Sequence, residues 1–193
     1  HANREALRAA LAQLDERHVD RVMCVGDIVG YNADPDDCVN LLRERAALCI
    51  AGNHDLIGTG ALGFERCSNK AMHSLKRTRR TLSSGTAEWL RALPSHRVLE
   101  ERFLLTHGGV RDVQQYMTRP RHFVQNVDYL RHDFPGIRLC FFGHTHEQRI
   151  FEIDGAHACE TDCDCGAPLR EARESFINPC SVAPSRKPAH KRA

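Results

Sequence analysis

Carboxylate, amide and imidazole side chains recur at the ends of apolar runs in this chain: Gly26-Asp27, Gly52-Asn53-His54-Asp55, His107-Gly108-Gly109 and Gly143-His144-Thr145-His146. Such a mix of oxygen and nitrogen donors suits divalent cations. The residues before the segments are Val22-Met23-Cys24-Val25, Leu48-Cys49-Ile50-Ala51, Phe103-Leu104-Leu105 and Leu139-Cys140-Phe141-Phe142. They read as strands buried on both faces. In an open α/β sheet, ligands gather in the crevice at the carboxyl ends of the strands. Segments far apart in sequence are therefore expected to converge on one metal-binding site.

The stretches between these segments supply the alternation that such a sheet needs. Residues 3–17 carry Ala6, Leu7, Ala10, Leu11 and Leu14 at helical spacing, with Asn3 as N-cap. Pro35-Asp36-Asp37 opens a second helix, with acidic residues in its first turn. The strand–helix–strand order is a βαβ pattern with a parallel sheet. Between residues 58 and 97 the pattern changes to two helices, about 65–80 and 86–93, read as a helical cap insertion. The first carries Lys70, Lys76, Arg77, Arg79 and Arg80. That is either a solvated face or a charge distribution that concentrates an anionic substrate. Trp89 and Leu90 are expected to pack the cap onto the body. A further helix around Phe123, Val127, Leu130 and Phe134 ends at Pro135-Gly136. Ile150 to Ile153 and Phe176-Ile177 alternate weakly and read as strands of a second sheet.

The chain has 193 residues, enough for one ordinary domain, and a formal net charge of +2. That balance indicates neither a nucleic-acid coat nor an acidic tail. No apolar stretch reaches membrane-spanning length. Nine cysteines are present, and Cys24, Cys49 and Cys140 fall inside the expected strands, where cysteine acts as a small hydrophobe. This favours a reducing, cytoplasmic setting over a disulfide framework. His157, Cys159, Cys163 and Cys165 cluster without the paired Cys-x2-Cys spacing of a zinc site, and are expected in a variable surface loop. Arg111 and Asp112 could reach a substrate phosphate or form a surface ion pair. The basic stretch 186–193 reads as a charged edge.

Taken together, the segments resemble the calcineurin-like metallophosphoesterase family, whose pattern runs Asp-x-His, Gly-Asp, Gly-Asn-His-Asp/Glu, His and Gly-His-x-His. Most of these blocks stand here intact and in order, across nearly the whole chain. Gly26-Asp27-Ile28-Val29-Gly30-Tyr31 with Asp34-Pro35 looks like the bacterial and archaeal phosphodiesterase branch. Ile177-Asn178-Pro179 resembles that branch's late Asn-Pro-Gly-Ser turn, with Cys180 in place of glycine. His1-Ala2-Asn3 looks like the end of the Asp-x-His-x-Asn block. The expectation is therefore a fragment that lacks the first aspartate, its strand and the C-terminal strands.

The resemblance implies a single α/β domain over residues 1–193. It would be a four-layer α/β/β/α sandwich of two mixed sheets flanked by helices, with the 58–97 cap. It also implies two divalent metal ions, from among Mn, Fe, Zn, Ni and Co. Asp27 would bridge them, His1 and His146 would hold the first, and Asn53, His107 and His144 the second. His54 would be the catalytic group at the phosphoryl oxygen or leaving group, and Asp55 would orient it. The physical case agrees: adjacent cations need a bridging anion, and neutral imidazole and amide ligands leave net positive charge for a phosphate. The implied substrate is a small phosphoester, with nucleic acid expected only as a possible substrate and no membrane partner.

The implied activity is hydrolysis of a phosphodiester or small phosphomonoester. The rivals are a protein phosphatase, a dinucleoside-polyphosphate phosphatase and a non-catalytic scaffold of the same fold. Gly30-Tyr31 and Asp55 stand where protein phosphatases carry other residues. Retention of Asn53, His54, His107, His144 and His146 argues against a scaffold.

Overall fold

Asn3 accepts a hydrogen bond on its side chain from the Ala6 N–H at 3.1 Å, and α1 (Arg4–Glu16) begins there as the N-cap pattern requires. The computed structural model describes residues 1–161, 173–179 and 181. The chain is a mixed α/β protein with two sheets and flanking helices, and it divides into two compact units, His1–Ser95 and His96–Ala193.

In the first unit β1 (Met23–Cys24) and β2 (Leu48–Cys49) pair in parallel, joined by α2 (Pro35–Glu44). This is the βαβ unit read from sequence. Its core gathers Ile28, Val29, Cys38, Val39, Leu42, Cys49 and Leu90, with Trp89 and Leu93 against it. Leu90 and Trp89 thus pack α5 (Ser84–Arg91) onto the body of the unit. The other helix of the 58–97 stretch is α4 (Asn69–Thr81), capped by the Ser68 hydroxyl. Ala71 and Leu75 of α4 pack with Ile57 of α3 (Asn53–Gly58), a short helix not expected from sequence.

The second unit holds a mixed six-stranded sheet in the order β3-β4-β5-β8-β6-β7. The strands are β3 (His96–Leu99), β4 (Phe103–Thr106), β5 (Leu139–Phe141), β6 (Arg149–Asp154), β7 (His157–Thr161) and β8 (Ser175–Asn178). β4–β5 and β5–β8 are parallel, and the remaining pairs are antiparallel. The late strands β6 and β8 were expected in a sheet apart from β4 and β5. Parallel pairing of β8 with β5 joins them into one sheet instead. α6 (Pro120–Asp133) lays Phe123, Val127 and Leu130 into a core with Cys140, Phe142, Phe151 and Phe176. Phe123 stacks on Phe151 at 3.8 Å between ring centroids.

His157 and Cys159 lie on β7, paired with β6, where a loop was expected. Alternation of exposed His157 and half-buried Ala158 along an edge strand accounts for the polar reading. Cys163, Cys165, Cys180 and the 186–193 stretch lie outside the described residues. No helix among the described residues is long and apolar enough to cross a membrane.

Candidate functional site

In the first unit, two turns meet backbone to backbone. Gly26 has φ +90°, and a Cβ on it would lie 2.4 Å from the Gly52 nitrogen. Only glycine allows that approach in that conformation. The next residue, Asp27, is itself left-handed at φ 58°. Its carboxylate accepts the backbone N–H of His54 at 2.9 Å, near the start of α3. His1 is held beside it: the Ala2 N–H donates to the Ile28 carbonyl at 2.8 Å, and the Asn32 side chain donates to the His1 carbonyl at 2.8 Å.

The result is a buried group of His1, Asp27 and His54, whose ligand atoms all lie within 4.8 Å of one another. His1 Nε2 is 3.4 Å from an Asp27 oxygen. A Cβ on Gly30 would stand 2.2 Å from His54 Nδ1, so that glycine makes room for the imidazole. Tyr31 closes against both rings, 4.9 Å from His1 and 4.7 Å from His54. One carboxylate and two imidazoles, all shielded from water, match the donors and the low-dielectric surroundings that a divalent cation takes.

Asp55 bonds to the backbone. One oxygen accepts the Val29 N–H at 3.0 Å and the other the Gly52 N–H at 2.8 Å. The carboxylate therefore ties the Gly26–Gly30 turn to the start of α3, as a residue near a helix N-terminus can. Burial, with the Asp27 charge nearby, pushes its pKa up to about 6, against the two amide bonds that favour the anion. Asn53 is buried at the first position of α3.

In the second unit, His107 follows β4 and His144 and His146 follow β5, and all three are buried. The His107 and His144 rings meet edge to face at 5.1 Å. The Gly143 N–H donates to the His107 carbonyl at 2.8 Å, linking the two strand ends. Both His144 (φ 63°) and His146 (φ 59°) are left-handed. Asn178, on β8, braces the turn between them: its Nδ2 donates to the Gly143 carbonyl at 3.1 Å and to Thr145 Oγ1 at 2.8 Å.

Arg111 is an ion-pair residue. It grips Asp133 with two bonds of 2.7 and 2.6 Å and lies over the Tyr129 ring, holding the Asp133 carboxyl below the usual range. Arg79 donates to the Ile57 carbonyl at 2.6 Å near the end of α3. Sequence reasoning did not single out Asn126 or Tyr116, which lies 3.9 Å from His144, and met Tyr31 and Asn178 only as parts of family-like motifs.

A buried carboxylate–imidazole group at the ends of α/β strands has the donors to hold a divalent metal ion. The profile of the calcineurin-like phosphoesterase superfamily domain matches residues 1–192, and the chain belongs to that superfamily. It is 26% identical over 191 residues to the uncharacterized protein MJ0912 of Methanocaldococcus jannaschii, covering 96% of this chain and 74% of that protein. A crystal structure of a metallophosphoesterase from Sphaerobacter thermophilus superposes with a TM-score of 0.75 at 30% identity, over 94% of this chain and 73% of the other. The hypothetical protein PH1004 of Pyrococcus horikoshii OT3 shares the fold, with a TM-score of 0.62 at 18% identity over 77% of this chain and 68% of the other.

Proposed function

We propose that this protein is a metal-dependent phosphoesterase acting on a phosphodiester or small phosphomonoester. The observation that carries the reading is the buried His1–Asp27–His54 group, set into turns that a glycine at 26 and at 30 alone allows. In this reading His1, Asp27, Asn53, His107, His144 and His146 hold two divalent ions drawn from Mn, Fe, Zn, Ni and Co. When bound, the ions neutralise phosphoryl charge and acidify a water molecule. Asp27 would supply the carboxylate of this ligand set, with two oxygens and a net negative charge. His54 in its protonated form donates to the departing oxygen, and Asp55 fixes the segment that presents it.

The same group supports a second role for His54, as a ligand, because one of its ring nitrogens lies within 4.8 Å of ligand atoms of His1 and Asp27. Metal content separates the two roles. Burial pushes the Cys140 and Cys38 thiols up to about 12 and about 11. Cys24, Cys49 and Cys140 pack as small hydrophobes in or against the cores, and on that usage we read the compartment as reducing, the cytoplasm. A dinucleoside-polyphosphate phosphatase is the nearest rival activity. The test is a screen of the metal-supplemented protein against bis-p-nitrophenyl phosphate, p-nitrophenyl phosphate, cyclic nucleotides and dinucleoside polyphosphates. Metal-dependent turnover of the diester is expected, and no turnover of any of them would return the chain to a scaffold reading.

A further inference from the structure

Tyr116 is one of three large apolar side chains exposed among the described residues, with 42% of its surface open. Its ring lies 3.9 Å from that of His144, tilted by 39°. A lone exposed tyrosine is ordinary. This one differs because the chain on either side of it is pinned. Met117 is buried in the core of the second unit. Gln114 is buried, and its N–H donates to Asp112 at 2.9 Å.

Gln115 Oε1 accepts from Asn126 at 2.9 Å, and its amide reaches Gln125 at 3.3 Å. Asn126 is fully buried on α6 and also accepts the Val110 N–H at 2.6 Å and donates to the His122 carbonyl at 2.7 Å. The whole loop after His107 is thereby clamped to α6. The cost of ordering an aromatic platform is met in the folded protein, before any ligand arrives.

We infer that Tyr116 is a stacking platform for a planar group of the substrate, which makes that substrate a phosphoester bearing a nucleobase or similar flat aromatic ring. The inference rests on the phosphoesterase reading, since His144's place in the ligand set is what puts phosphorus chemistry beside this ring. A phosphoryl group held near His144 leaves its ester substituent to run across the neighbouring tyrosine. Stacking on an aromatic face tolerates any base, because every base has a π-face. It therefore predicts a preference for aromatic substituents without a preference among bases.

The test compares hydrolysis-resistant phosphonate analogues of adenosine 5′-monophosphate and ribose 5-phosphate, which differ by the base. Calorimetric titration of the manganese-supplemented protein should show the adenosine compound binding about 5- to 100-fold tighter. Tyr116→Phe should keep that advantage. Tyr116→Leu should abolish it while changing the affinity of the ribose compound little. Equal affinities in the unaltered protein would overturn the inference. So would equal weakening of both ligands in Tyr116→Leu, the signature of a ring that only packs on His144. Hydrolysis of bis-p-nitrophenyl phosphate, measured in parallel, reports on the phosphoesterase reading separately, because the binding comparison needs no turnover.

Discussion

The two units arrange their candidate ligands by different means. In the first, a two-residue parallel pair carries turns shaped by glycine contacts and braced by one buried carboxylate, Asp55. In the second, a six-stranded sheet presents His107, His144 and His146 from adjacent strand ends, braced by a neutral amide, Asn178, from a third strand. The first arrangement depends on backbone proximity and on charge. The second depends on sheet register, with side-chain hydrogen bonds trimming the turn. Damage to the first should therefore propagate further and respond to pH, whereas damage to the second should stay local.

The largest expected effect is on the chemistry of the first unit. His54→Ala should lower turnover about 10²–10⁴-fold with metal content intact, as loss of a general acid does. Loss of bound metal in that variant, read by elemental analysis, would make His54 a ligand. Gly26→Ala should destabilise the fold by about 3 kcal/mol or more, because the new Cβ meets backbone that cannot yield and the backbone is left-handed. A denaturant midpoint close to that of the unaltered protein would show that the two turns can separate.

The pH response sharpens the contrast further. The Asp55 pKa is raised, so its contribution to stability is present below its ordinary value and is lost as pH rises through about 6. Metal-free protein should lose on the order of 2–3 kcal/mol across that window. Asp55→Asn should flatten the profile, at the cost of leaving one buried backbone N–H without its acceptor. An unaltered slope in that variant assigns the pH dependence elsewhere.

In the second unit, Asn178→Ala should weaken metal binding about 10-fold, within the range for residues that orient ligands. It should also lower stability by about 1 kcal/mol, with no change in pH profile. The smallest effect concerns α4. Neutralising Arg77 and Arg80 should raise KM a few-fold for multiply charged substrates and weaken salt dependence. Arg79 is left out of that pair because it bonds the end of α3. Equal change on a monoanionic diester makes these residues an ordinary solvated face.

Much of this architecture was legible in the chain. The apolar runs before Asp27, Asn53, His107 and His144 do form strands or strand ends, and the Asn3 cap and Pro35, as first helical residue, open helices where their chemistry requires. β3 escaped notice because its residues alternate between exposed and half-buried on a sheet edge. α3 escaped because six residues are too few to show a helical period. The joining of β6 and β8 to β5 depends on pairing between strands far apart in sequence, which no local pattern encodes. Tyr116 and Asn126 were invisible for the same reason: both matter through partners many residues away. Asn178 showed only as part of its Asn-Pro turn, without its hydrogen-bonding role.

The left-handed backbone at Asp27, His144 and His146 carries an evolutionary consequence. Each of these side chains sits where glycine or asparagine would be more comfortable, at a cost of about 1–2 kcal/mol apiece. If the proposed ligand roles hold, selection for metal binding is the force that keeps them there. A lineage released from that demand gains stability by drifting to glycine or asparagine at these very positions, while the sheet and its core stay as they are. Among relatives of this chain, the residues at those three sites should separate working hydrolases from retired ones more sharply than overall similarity does.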